Sequence, residues 1–184
     1  MKSSIETLSR FFNTHRMVGE YADRFYVPAA DRFRHMTSEK LARAIALGDW
    51  KEKVRQVWPS LRVDLVEAEG GPEEHQVGSE VRARAKVYLA SLSPEDVSVE
   101  LYLGRVSPRG DIQDAEAIPM KLVGPGETEH THVFEADSVR CTRSGLHGYT
   151  VRVLPHHPDL TTPFLRGLIT WADGHAQPME RGWV

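Results

Sequence analysis

A chain of 184 residues with 40% hydrophobic and 27% charged positions has the make-up of one folded domain with an appendage, not of a disordered polymer. Its formal charge of -3 gives no basic stripe for nucleic acid, no apolar run approaches the ~20 residues of a membrane helix, and the N-terminus leads into no signal-peptide core. Cys141 is the only cysteine, so an internal disulfide is excluded and a reducing, cytoplasmic setting is expected.

Residues 1–58 read as a helical segment of three to four helices. Ser3 and Glu6 have capping-box spacing, with Ile5, Leu8, Phe11 and Phe12 following at helical intervals. In the next helix Met17, Tyr21, Phe25, Ala29 and Phe33 recur every four residues, and Arg16, Glu20 and Arg24 form i,i+4 pairs on another face. Pro28 removes one donor and is expected to kink or restart this helix. A third helix is expected to begin after Thr37 and stop near Gly48, and a short one to run from Asp49 to the stop at Pro59. The stripe Met17, Tyr21, Phe25 and Phe33 is wider than a helical arm buries by itself. It either packs on neighbouring elements of the chain or forms a docking face for a partner, and an apolar stripe of this width favours the docking face. Trp50 and Trp58 lie eight residues apart on one face, which suits either core packing or a sugar-stacking platform, packing being the favoured reading.

From residue 59 to 184 the period changes to two. Leu61, Val63 and Leu65 alternate, as do Val81 to Leu89, Val97 to Leu103 and Tyr149 to Leu154. Weaker strands are expected around Ala117–Val123 and His130–Ala136, and a last one at Leu168–Ala172, with Gly70-Gly71-Pro72, Ser93-Pro94-Glu95-Asp96 and Pro108-Arg109-Gly110-Asp111 as turns. About seven short strands predict an antiparallel β-sandwich, so the chain is expected to be mainly β with an N-terminal helical segment. Tyr149 and Val151, entered through Gly145 and Gly148, have the form of the tyrosine corner of immunoglobulin-like sandwiches, although Leu101 stands where an antibody domain has its core tryptophan. Asp173 to Val184 reads as a tail.

The residues alone offer no active site. His130 and His132 share a strand face and His156 and His157 are adjacent, but no further ligand stands at a familiar spacing, and no metal is expected. There is no nucleophile elbow, phosphate-cradling loop or dinucleotide fingerprint. Cys141 has Arg140 and Arg143 beside it, yet no identifiable base, and a structural role is expected. Tyr102, on a strand, is a third candidate sugar platform beside Trp50 and Trp58.

The segment Phe12-Asn13-Thr14-His15-Arg16-Met17-Val18-Gly19-Glu20-Tyr21, continuing to Phe25-Tyr26-Val27-Pro28-Ala29-Ala30, resembles the carboxyl-terminal helix of bacterial and archaeal α-glucan (glycogen or maltodextrin) phosphorylases. The stretches from Leu92 to Gly104 and from Gly148 to Pro158 resemble the β-rich extension after that helix in the longer bacterial type. Gly19 stands where an arginine is expected, a surface-type difference. The resemblance implies phosphorolysis of α-1,4-glucan to glucose 1-phosphate, with pyridoxal phosphate held on a lysine. The family's cofactor lysine and phosphate-binding residues lie upstream of the helix motif, and none of Lys2, Lys40, Lys51, Lys53, Lys86 or Lys121 stands in the family's lysine context, so no catalytic or cofactor-binding residue carries over to this chain.

Two functions follow as expectations. One is the non-catalytic C-terminal portion of an α-glucan phosphorylase, inactive alone, with residues 1–58 resembling the end of the catalytic domain and docking on the catalytic domains upstream. The other is a free-standing glucan-binding or adaptor sandwich that contacts α-glucan through Trp50, Trp58 or Tyr102. A homo-oligomer contact is compatible with either, and neither nucleic acid nor membrane is an expected partner.

Overall fold

The computed structural model describes residues 13–69, 80–107, 109, 111–140, 147–172 and 177–178. The expected capping box at Ser3, the glycine loop at 70–72 and the residues around Cys141 lie outside these. The chain divides into two compact units, Met1–Lys51 and Glu52–Val184.

In the first unit, helix α1 spans Thr14–Tyr21 and is capped by Asn13, whose side-chain oxygen accepts from the Arg16 amide at 2.7 Å. A π-turn, Ala22–Tyr26, leads into helix α2, Val27–Val57. The π-turn ends two residues before Pro28, and widening the helix just upstream is how a chain accommodates a proline that can neither donate nor clear the preceding turn. The break expected after Thr37 is present as a non-helical run inside α2: Ser38 is extended, and Glu39, Lys40 and Leu41 have φ of 50°, 56° and 67°. Thr37 and Ser38 donate their hydroxyls back to the carbonyls of Phe33 and His35, which offers the backbone a way out of the helix here. The stop expected at Gly48 is not made, because α2 runs through Gly48 and Asp49 to Val57.

Among the described residues the second unit holds the end of α2 and nine strands. Val54 is fully buried, and a 3-10 turn at Trp58–Ser60 with Pro59 ends the helix. The strands are β1 Arg62–Glu69, β2 Glu80–Tyr88, β3 Val97–Val106, β4 Ile112–Pro119, β5 Lys121–Pro125, β6 Thr131–Arg140, β7 His147–Pro155, β8 Thr170–Trp171 and β9 Gln177–Pro178. They form two antiparallel sheets, one in the order β1-β2-β6-β5 and the other in the order β4-β3-β7-β8, with β9 also pairing β7. The architecture is therefore mainly β with an N-terminal helix. The strand expected at Ala117–Val123 is two strands in different sheets. Met120, buried between them, donates its amide to the Val99 carbonyl at 2.9 Å as the chain crosses from one sheet to the other.

Period-two burial builds the core. Ala83, Ala85, Val87, Phe134 and Ala136 from one sheet, and Val97, Val99, Leu101, Val151 and Val153 from the other, are all buried. Tyr149, at the start of the corner strand, is half-buried, and burial pushes its phenol above the ordinary tyrosine range. No described helix is long and apolar enough to cross a membrane.

Candidate functional site

The strongest surface feature of the first unit is the helical row that the four-residue spacing picks out. Met17, Tyr21, Phe25 and Phe33 are 49%, 47%, 58% and 68% exposed. Tyr21 lies against Phe25 and Tyr26, with ring centroids at 5.8 Å and 6.4 Å, so these three rings form one aromatic cluster within the row. Val18, Val27, Leu41 and Ile45 are also exposed.

The sugar-platform candidates fall in three different environments. Trp50 is half-buried on α2. Trp58 is 4% exposed and its ring offers no face to solvent, so packing is its role here, as the apolar side of the helix dictates. Its indole Nε1 is buried without a hydrogen-bond partner. Tyr102 belongs to a cluster on the outward face of the second sheet.

That cluster follows from strand register. Along β3 and β7 the inward row is Val97, Val99, Leu101 against Val151 and Val153, which puts Glu100, Tyr102 and Arg152 on the outward row. Glu100 stands directly opposite Arg152, and Arg152 directly opposite Trp171 on β8. One glutamate oxygen, Oε2, accepts from both Nε and Nη2 of Arg152 at 2.7 Å, with the two side chains only 14% and 18% exposed. The guanidinium carbon lies 5.0 Å from the Tyr102 ring centroid, 5.5 Å from Phe164 and 5.7 Å from Trp171. Tyr102 and Trp171 meet edge to face, centroids 5.3 Å apart and planes at 78°. Phe164 and Trp171 remain 57% and 42% exposed. Sequence reasoning found Tyr102 and missed its companions; the signal available was the opposite charge of Glu100 and Arg152 on the outward rows of two strong strands.

The outward face of the first sheet differs in kind. Glu135 on β6 pairs with Arg82 at 3.0 Å and Arg84 at 3.1 Å, and Lys86 pairs with Glu127 at 2.9 Å, which holds that carboxyl below the ordinary glutamate range. It is a charged, solvated surface.

A second local structure accounts for His156 and His157. Ser93 and Asp96 close a capping box at Pro94–Asp96, and Lys53 lies 3.6 Å from the Asp96 carboxylate. The His156 amide donates to the Asp96 carbonyl at 2.9 Å, and its Nδ1 donates to the Glu95 carbonyl at 3.1 Å. His157 Nδ1 accepts from the Asp159 amide at 3.0 Å. Both residues hold backbone, and no group of three metal-ligating side chains occurs among the described residues.

The segments Leu92–Gly104 and Gly148–Pro158 are thus neighbours, paired from Val97 opposite Pro155 to Gly104 opposite Gly148 and clamped at His156. Residues 58–173, the stretch that holds this pair of strands, match the family described as the glycogen phosphorylase C-terminal domain. The chain belongs to that family. It is 33% identical over 172 residues to a glycogen phosphorylase of Mycobacterium tuberculosis, covering 94% of this chain and 20% of the relative. A maltodextrin phosphorylase of Thermococcus litoralis is also 33% identical over 172 residues, covering 93% and 20%. The chain therefore spans about a fifth of the length of these relatives, and its phosphorylase C-terminal character is what the match establishes.

Proposed function

We propose that this chain is the non-catalytic C-terminal portion of an α-glucan phosphorylase, whose parent reaction is the phosphorolysis of α-1,4-glucan to glucose 1-phosphate. Its helical segment, residues 1–58, rests on the catalytic domains through Met17, Tyr21, Phe25 and Phe33. The observation that carries the reading is that this row is open along its length. Contiguous apolar surface rimmed by charge marks an interface, and relatives of this family carry most of their length outside the matched part. Residues 59–184 form the appended sandwich. The immunoglobulin-like reading of it is supported by the sheet orders, since β1-β2-β6-β5 and β4-β3-β7-β8 follow the A-B-E-D and C′-C-F-G neighbour relations of that fold. The setting is cytoplasmic.

Pyridoxal phosphate, the parent enzyme's cofactor by resemblance, does not fit the described residues. The described lysines are exposed or half-exposed, Lys53 and Lys86 face carboxylates, and none is buried as a Schiff-base lysine requires.

The test mixes the chain with maltodextrin, phosphate and pyridoxal phosphate, alone and with the catalytic portion of an α-glucan phosphorylase prepared without its matching C-terminal region. The chain alone releases no glucose 1-phosphate and is captured by the catalytic portion, and capture is lost in the double variant Tyr21→Asp, Phe25→Asp. Turnover by the chain alone, or undiminished capture of the double variant, overturns the proposal.

The alternative, a glucan-binding or adaptor module without catalytic activity, is favoured by one observation, the ordered aromatic corner of Tyr102 and Trp171.

A further inference from the structure

We infer that the outward face of the second sheet, at Tyr102, Arg152, Phe164 and Trp171, is an accessory binding surface for an α-linked glucose chain. The inference rests on the phosphorylase reading for the identity of the sugar, and on geometry for the site.

A pyranose presents apolar C–H faces and a rim of hydroxyls that both donate and accept. It needs an aromatic surface, a second surface set at an angle to it, and fixed polar groups at the edge. The rings of Tyr102 and Trp171, at 78° and 5.3 Å, make the corner. The Arg152 guanidinium lies against the same rings and is already oriented, because a single Glu100 carboxylate oxygen lies 2.7 Å from both its Nε and its Nη2. Ordering of these groups is complete before a ligand arrives, which lowers the entropic cost of binding.

The surface is also held rigidly. Trp171 is set by its pairing with Arg152 and by the Ala172 amide, which donates to the Val151 carbonyl at 2.9 Å. Phe164 precedes a tight turn, Leu165-Arg166-Gly167-Leu168, closed by the Leu168 amide on the Leu165 carbonyl at 3.0 Å, with Gly167 at φ +78° and Leu168 buried beneath.

Size selects sugar over protein. Phe164 and Trp171, 57% and 42% exposed, with the more covered Tyr102, present on the order of 200 Å². A stable protein interface takes about 800 Å² from each partner. A short run of glucose units matches the smaller figure. The first sheet has a smaller ring pair of its own, Tyr88 and His130 at 6.3 Å with the Arg62 guanidinium 4.0 Å over Tyr88, beside the Arg82–Glu135–Arg84 and Lys86–Glu127 pairs.

The experiment is native electrophoresis of the 184-residue chain in gels with and without glycogen, together with calorimetric titration with maltoheptaose. Glycogen is expected to retard the chain, and Trp171→Ala and Phe164→Ala are each expected to weaken binding about tenfold or more. Circular dichroism melts establish that the variants are folded, and Phe164→Ala, at the more exposed ring, serves if Trp171→Ala unfolds. Absence of retardation and of titration heat, or retardation unchanged in folded Phe164→Ala, overturns the inference. Capture by a phosphorylase catalytic portion, read on Tyr21 and Phe25, is a separate measurement. Loss of glucan binding with capture intact removes this site and leaves the docking proposal standing, and the reverse result does the opposite.

Discussion

Glu100 and Arg152 face each other across β3 and β7, and a single carboxylate oxygen of the glutamate receives two of the arginine's donors. Because both side chains are largely shielded from water, losing the charge on one leaves the other poorly compensated. Glu100→Gln is expected to lower the unfolding free energy by about 1.5–3 kcal/mol, the range for a hydrogen bond to a charged group. A urea melt with an unchanged slope and a lower midpoint checks this. An unaltered midpoint would mean that the pair is solvated in solution.

Gly104 stands where β4 bulges, since Leu103 pairs Glu116 but Arg105 pairs Gln113, and Asp114 has φ of 49°. A Cβ at Gly104 would sit 2.6 Å from the Gln113 carbonyl oxygen and 2.9 Å from the Ala115 Cα. Backbone atoms cannot step aside as a side chain can. Gly104→Ala is expected to cost about 1–3 kcal/mol, and exchange protection of β4 amides should fall before that of β7.

Two further glycines separate space from backbone geometry. Added Cβ atoms at Gly48 and Gly167 meet nothing within 4 Å. Gly48 is mid-helix, so Gly48→Ala should stabilise by about 0.5–1 kcal/mol. Gly167 has φ of +78°, so Gly167→Ala should destabilise by about 1–2 kcal/mol. Thermal melts of the two variants should move in opposite directions, and shifts of the same sign would contradict the turn geometry at Gly167.

Burial holds the Tyr149 phenol above the ordinary tyrosine range. The unfolded chain therefore loses this proton first, and between the ordinary and the raised value the folded state holds more protons. Stability contributed by this group is complete below the ordinary value and falls as pH rises through the raised one. The ultraviolet phenolate titration should show a late step that Tyr149→Phe removes. A Tyr149 phenol that titrates at the ordinary tyrosine value would refute the burial argument.

Much of the fold was legible because burial on one side of a strand writes itself into alternate residues, as in Ala83-Ala85-Val87 and Val97-Val99-Leu101. What was not legible depends on contacts distant in sequence. Nothing local at Met120 marks a change of sheet, which is decided by the Val99 carbonyl. Gly48-Asp49 has the local chemistry of a helix end followed by a start, yet α2 runs on to Val57, with Val54 buried beyond the expected stop. Three consecutive positive φ values at Glu39, Lys40 and Leu41 have no glycine to announce them. For the candidate sites, the helical row was readable from its spacing alone. The aromatic corner was not, because Phe164 and Trp171 lie in a turn-rich segment without periodicity and meet Tyr102 only through the register of β7 with β8.

The margin of β7 carries one more implication. Instead of one long neighbour it has two brief ones, β8 beside Arg152 and Val153 and β9 beside Gly148 and Tyr149. Among the described residues these two short strands pair with parts of the hydrogen-bonding flank of β7. A long bare flank on such a strand would invite copies of the protein to add on and grow into fibres. Backbone groups of β7 that are already paired with β8 and β9 are withdrawn from that kind of growth.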